Sequence, residues 1–305
     1  MSTMHRRVFT DITNDANNRS AASEAATAPG KKPLKSDRKA DDVDARDATN
    51  PQACTDYVND MYAHFREKEV ETSVSPSYMG AQTHINEKMR AILIDWLVEV
   101  HLKFKLVPET LYLTVNLIDR FLVTTIVERS NLQLVGVAAL LLASKYEEIY
   151  PPELKDLVYI TDKAYTQEQI LLMEEKMVKA LFYKMTISST HCFMMRYLKA
   201  GHADRRMVWL ASFICERMLQ EYSMLKYLPS MLAASAVYIA RKNLGRNAWS
   251  PTLLHYTQYS EPALRMCLED MEAMLTSRTS LQAVKKKYSS EKYGAVAQIN
   301  LAILD

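Results

Sequence analysis

The chain reads as an all-α protein built from two five-helix bundles in tandem, preceded by a leading helix and a disordered N-terminal tail. Three observations carry that reading. From Pro51 onward, apolar residues recur at helical spacing. No alternating Val, Ile or Thr run bounded by Asn-Gly or Asp-Gly turns is present, so strands are not expected. The stretch LVGVAALLLASK at Leu134–Lys145 is echoed roughly 97 residues later by MLAASAVYIARK at Met231–Lys242. Both copies are Ala-rich, apolar and closed by Lys. The length of 305 residues suits two domains.

Residues 1–50 are rich in Ala, Ser, Thr, Asn and Asp and contain no Trp or Tyr. Such a segment buries too little apolar surface to offset its ordering entropy, so a disordered tail is expected. The leading helix and its linker occupy 51–83, with Tyr57, Met61 and Phe65 at i, i+4 and i+8 and Val58 and Tyr62 beside them. Ser, Pro and Gly cluster at Ser73–Gly80 and break it.

The first bundle is expected over 84–184. Its opening helix, about His84–Lys105, carries two apolar stripes: Met89, Ile92, Leu93, Trp96 and Val100 on one side, Ala91, Ile94, Val98 and Leu102 nearly opposite. Either the helix is sandwiched between layers or one stripe is a docking surface. Pro108 opens the next helix, whose core face is Leu111, Val115, Ile118 and Leu122. Asn131 is the expected cap of a central helix apolar nearly all round through Leu132–Ala143. Pro151–Pro152 stops it, and shorter helices follow near Glu153–Ile160 and Thr166–Leu181. The second bundle, 185–278, places helices at Ser188–Lys199, Asp204–Tyr222, around Met231–Lys242, at Ser250–Tyr256 and at Glu261–Thr276. A C-terminal tail, 279–305, completes the chain. Its basic run Lys285–Lys287 is expected to be a solvated helix end.

Composition removes several function classes. Formal net charge is +2, from 38 basic and 36 acidic side chains, which argues against a clamp on phosphate backbones. The 6 glycines form no GxGxxG or GxxxxGK[ST] loop. Cys54, Cys192, Cys215 and Cys267 stand far apart with no CxxC, and no HExxH occurs; this predicts a reducing compartment and no metal or cofactor. Met1–Thr10 is polar and basic where a signal peptide needs an apolar region, and the longest apolar run, Leu134–Ala143, is too short for a membrane span. A soluble intracellular protein is expected. No nucleophile–base constellation suggests an enzyme.

MRAILIDWLVEV at Met89–Val100 resembles the signature helix of the cyclin family. The resemblance continues through ETLYLTVNLIDRFL (Glu109–Leu122), LQLVGVAALLLASKYEEIYPP (Leu132–Pro152) and YITD (Tyr159–Asp162), and in the second bundle through YLPSMLAASAVYIA (Tyr227–Ala240) and SPTLLHYTQYSE (Ser250–Glu261). NPQACTDYVNDMY (Asn50–Tyr62) is similar to the leading helix of mitotic, B-type cyclins. The resemblance implies two tandem cyclin boxes and a non-catalytic subunit, nuclear and cytoplasmic, that binds and activates a cyclin-dependent kinase for mitotic entry. A tandem cyclin-box transcription factor that binds DNA is the rival. Near-zero net charge and the lack of a zinc ribbon count against it, so neither nucleic acid nor membrane is an expected partner.

Carried over residue by residue, the resemblance implies that Lys145 and Glu174 grip backbone groups next to the kinase's regulatory helix, since together they offer donors and acceptors. Tyr146 and Tyr183 belong to the same expected kinase face; Tyr146 stands where relatives commonly carry Phe and adds a hydroxyl. Met89, Ile92, Leu93, Trp96, Glu99, Leu132 and Gln133 match the patch that receives Arg-x-Leu peptides of substrates and inhibitors. A Met/Leu/Trp stripe is ordinarily core, but the second stripe through Ile94 and Val98 can supply that contact instead. Arg90 and Asp119 match an ion pair tying the first two helices of the box together. RRVFTDITN at 6–14 is similar to a destruction box read by a ubiquitin ligase receptor, with Arg6, Phe9, Ile12 and Asn14 as contacts. Phe9 replaces the usual Leu. Lys31, Lys32, Lys35 and Lys39 are the expected ubiquitin acceptors.

Overall fold

The structure, a computed structural model, describes residues 40–302. Among the described residues there are twelve α-helices and no strand. They are α1 (Val58–Thr72), α2 (Glu87–Phe104), α3 (Pro108–Thr124), α4 (Leu132–Glu147), α5 (Leu154–Ile160), α6 (Gln167–Ala180), α7 (Thr190–Ala200), α8 (Arg205–Gln220), α9 (Pro229–Asn243), α10 (Pro251–Thr257), α11 (Glu261–Thr276) and α12 (Ala283–Tyr288). Helices α2–α6 and α7–α11 form the two bundles, and the helix ends fall within three residues of their expected positions except that α4 runs to Glu147, past the apolar stretch that ends at Ala143. No helix among the described residues is long and apolar enough to cross a membrane.

Each bundle is organised around its Ala-rich helix. In the first, α4 packs mainly on α3 and α6; in the second, α9 packs mainly on α7 and α8. Local chemistry sets the starts. Asn86 accepts the Met89 amide to cap α2, Ser189 accepts the Cys192 amide to cap α7, and Thr166 and Gln169 form a reciprocal capping box on α6. Asn131 behaves differently from expectation. It ends a short 3-10 turn, Arg129–Asn131, and makes no side-chain cap on α4, because that turn carries the chain directly into the helix.

Helix α2 lies between the bundles. Leu93, Leu97 and Val100 join the first core, while Val98 joins the second. The sandwich reading of its two stripes therefore holds for the side through Ile94 and Val98, both fully buried.

Three expectations are corrected. In α1 the flanking Val58 and Tyr62 are fully buried with Glu69, and Met61 and Phe65 pack half-buried against the same core, so only Tyr57, which is exposed, departs from the expected face. Polar bonds anchor this face: the Tyr62 hydroxyl donates to the Cys192 carbonyl (3.1 Å), and Glu69 accepts from the Ser230 amide and hydroxyl (2.8 Å each). Residues 40–50, assigned above to the disordered tail, pack on the second bundle with Val43 and Asp44 buried. Finally, the C-terminal segment contains α12, which packs on α2 and α8. Its Lys287 is buried against Glu216 (2.6 Å) and is no solvated end.

Candidate functional site

The surface around the C-terminal ends of α4 and α6 holds the first site. Lys145, in the last turn of α4, meets both carboxylate oxygens of Glu174 on α6, at 2.7 and 2.8 Å. Lys145 is 46% exposed and Glu174 13%, so the pair sits at a rim with donor and acceptor capacity facing out. The Tyr146 hydroxyl lies 2.6 Å from the Thr186 hydroxyl, tying the end of α4 to the link between α6 and α7. Past the end of α6, Phe182 and Tyr183 adopt left-handed backbone, with φ of 52° and 59°. Bulky residues rarely adopt that region, and here it leaves the two rings 79% and 71% exposed.

Sequence reasoning named Lys145, Glu174, Tyr146 and Tyr183 for this face and missed Phe182, Ile149, Tyr150 and Leu172, all exposed as well. A signal exists for Phe182, Ile149 and Tyr150, which are large apolar residues placed beyond a helix end, where no core face remains; Leu172, inside α6, carries no such signal. Isolated exposed apolar residues need no explanation, whereas a group of them marks an interaction surface.

Behind this rim three carboxylates approach one another. Glu148 accepts from the Val107 amide (2.6 Å) and the Thr110 hydroxyl (2.7 Å), closing the start of α3. Burial, with Glu109 and Glu148 adding repulsion, pushes the Glu147 carboxyl up to about 7.

The second candidate surface is the first apolar stripe of α2 with the start of α4. The two helices meet closely at Gly136, where a Cβ would lie 2.8 Å from Leu93 Cδ1. Leu132 and Gln133 share the Gly136 face of α4, and Met89 and Trp96 share the Leu93 face of α2, so all of them surround this crossing. Leu93 and Leu132 are buried at its floor, Met89, Trp96 and Gln133 are half-buried, and Ile92 and Glu99 are exposed. The stripe is thus part core and part surface.

Arg90 and Asp119 meet between α2 and α3. Arg90 Nε and Nη2 donate to the two carboxylate oxygens at 2.6 and 2.7 Å. The pair reaches beyond its own bundle: the Tyr78 hydroxyl donates to Asp119 (2.7 Å), and Arg90 Nη1 donates to the Leu219 carbonyl at the end of α8 (3.1 Å). Arg6, Phe9, Ile12 and Asn14, with Lys31, Lys32, Lys35 and Lys39, lie outside the described residues.

Residues 60–186 match the N-terminal domain of cyclins and residues 188–301 match their C-terminal domain. The chain belongs to the cyclin family. Among curated relatives, a cyclin-B1-2 of Arabidopsis thaliana is 48% identical over 86% of this chain and 59% of its own length. A cyclin-B2-1 of Oryza sativa subsp. japonica is 47% identical over 86% of this chain and 63% of its own. A G2/mitotic-specific cyclin-1 of Medicago sativa subsp. varia is 46% identical over 84% and 61%. The chain thus spans about three fifths of the length of these relatives, whose names are those of B-type, mitotic cyclins. A viral cyclin from herpesvirus saimiri superposes with a TM-score of 0.65 at 18% identity, covering 72% of this chain and 98% of its own, which shows the shared fold.

Proposed function

We propose that this cyclin is the non-catalytic regulatory subunit that binds and activates a cyclin-dependent kinase at mitotic entry. The observation that carries the reading is the Lys145–Glu174 pair at the surface, on elements that also carry exposed Tyr146, Ile149, Tyr150, Leu172 and Tyr183. Apolar rings supply contact area, and the ion pair supplies groups that can bond backbone. The pair holds the kinase's regulatory helix inward. That position completes the Lys–Glu contact that orients nucleotide phosphates in kinases. The cyclin needs only to bind the active conformer better: a shift from 1:99 to 99:1 requires about 5.5 kcal/mol of differential affinity.

The α2–α4 surface recruits substrates and inhibitors bearing Arg-x-Leu, the leucine against Ile92 and Trp96 and the arginine beside Glu99. Ubiquitin-dependent destruction through the segment 6–14 and residence in nucleus and cytoplasm complete the proposal. Both are supported by the resemblance to mitotic cyclins.

Lys145→Ala combined with Glu174→Ala tests the central claim. Kinase binding and histone kinase activity should be lost while thermal stability changes little, by about 0.5–1 kcal/mol, because removing both partners together leaves neither charge stranded. Full activation by this variant would overturn the assignment of the face.

A further inference from the structure

We propose that the surface of the second bundle centred on Arg196 is a recognition site for an acidic peptide, and that the chain fills it with its own residues 41–47. The proposal does not depend on the kinase reading. Arg196, on α7, is 1% exposed in spite of its charge. Its guanidinium lies over the Tyr256 ring at 4.4 Å and near the Tyr62 ring at 5.6 Å. Two aromatic faces and a planar guanidinium make a socket suited to a carboxylate held by two parallel bonds. Asp44 provides it: Arg196 Nη1 and Nη2 donate to its two oxygens at 2.9 and 2.7 Å.

The rest of the segment is read side chain by side chain. Lys199, one turn along α7, donates to Asp44 (2.6 Å) and Asp47 (2.5 Å). His202 lies 3.1 Å from Asp41, whose amide donates to the Thr252 hydroxyl (3.1 Å). The Val43 amide donates to the Tyr256 hydroxyl (3.3 Å), and the Val43 side chain is buried in the second core. The pattern recognised is therefore Asp-x-Val-Asp-x-x-Asp, with one apolar anchor and three carboxylates.

The segment has neither helix nor strand of its own. Apart from Val43, which enters the second core, the segment is attached through ion pairs and backbone bonds, the contacts by which an extended peptide ligand is held. An intramolecular ligand holds its site at a high effective concentration, so an acidic peptide in trans gains access only when the segment is weakened.

The test uses the full chain, unaltered and as Asp44→Lys, with a fluorescent peptide of residues 40–50 as probe. Asp44→Lys should speed trypsin cleavage after Arg46 by at least about tenfold, because proteolysis follows the population of the open segment. The peptide should bind Asp44→Lys and not the parent, and a peptide carrying the same lysine should bind neither. Equal binding of the peptide to both proteins, no binding to either, or an unchanged cleavage rate would overturn the proposal. Helical circular dichroism reports whether Asp44→Lys is folded. If it is not, the double variant Asp41→Asn with Asp47→Asn takes its place: faster cleavage in it supports the site, and an unchanged rate overturns it.

Discussion

The two bundles repeat one helical plan, yet their central helices end differently. Helix α4 finishes in the exposed residues Lys145 and Tyr146, with Lys145 paired to Glu174 at the surface. In the last turn of α9, Lys242 stands at the position of Lys145 and is only half-buried, and the preceding Arg241 is buried and donates to the Gly201 and Asn247 carbonyls where α4 has the small, buried Ser144. The surfaces follow suit. Among the described residues, the large exposed hydrophobics of 185–278 are Leu254 and Met266, while the first bundle exposes Tyr146, Ile149, Tyr150, Tyr159, Leu171, Leu172, Phe182 and Tyr183 along one run of chain. The second bundle spends its surface on its own chain. It holds residues 41–47 through Arg196, α1 through Ser230 and α12 through Glu216. Repetition of a fold thus fixes the core and leaves the helix ends free to serve either an outside partner or the chain itself.

The largest expected effect comes from removing what the bundles share. Asp119→Ala leaves Arg90 buried and uncompensated, which should destabilise the protein by about 3–5 kcal/mol. Because Arg90 also bonds Leu219 and Asp119 also accepts from Tyr78, both bundles should lose urea resistance together. Loss confined to the first bundle, seen by hydrogen exchange, would show that the pair does not couple them.

A matched pair of substitutions at the two helix ends sharpens the contrast. Arg241→Ala strands the buried Gly201 carbonyl, a penalty of about 1–3 kcal/mol, while the Asn247 carbonyl lies on an exposed residue within reach of water. Lys145→Ala removes an exposed ammonium and should change stability by less than about 0.5 kcal/mol. Thermal denaturation of the two variants gives the comparison directly. Similar losses in both would mean that α4 and α9 end alike in energetic terms despite their different exposure.

How much of this was legible in the chain follows from the kind of interaction involved. Helices α2–α11 follow from local apolar periodicity, which is why their ends fall close to expectation. The Lys145–Glu174 and Arg90–Asp119 pairings came from resemblance to cyclins, and the structure brings each pair together. Residues 40–50 and α12 were read as tails because both are polar. They are held by long-range contacts instead: Asp44 pairs with Arg196 across 152 residues and Lys287 with Glu216 across 71, while Val43, Val284 and Tyr288 enter the second core. No local pattern carries such a contact. The same limit applies to α1, where the rhythm finds Val58, Met61, Tyr62 and Phe65 but carries nothing about the long-range bond between Glu69 and Ser230. On the α2 stripe the rhythm was right, but only the crossing at Gly136 decides that Leu93 is floor and Ile92 is surface.

The smallest expected effect distinguishes the first bundle's rim by its response to pH. Glu147 has its carboxyl raised to about 7 by burial and by the nearby Glu109 and Glu148. Between about pH 4.5 and 7 the folded state therefore holds a proton that the unfolded chain has released, and stability falls as pH rises through that window. His101, in α2, works in the opposite direction. Burial first, and then Lys287, lower its imidazole to about 4, so stability is lost as pH falls from the ordinary histidine range toward that value. The parent's profile mixes the two, but the difference between parent and Glu147→Gln isolates the rim. Glutamine is neutral throughout, so the variant should match the parent near pH 4 and gain on it as pH approaches 8. For a partly exposed carboxylate screened by solvent the gain should be about 1 kcal/mol. Urea denaturation midpoints measured for both proteins from pH 4 to 8 provide the reading. A gap that is constant with pH would mean that Glu147 titrates as an ordinary surface carboxylate, and that the crowding of carboxylates behind Lys145 has no energetic consequence.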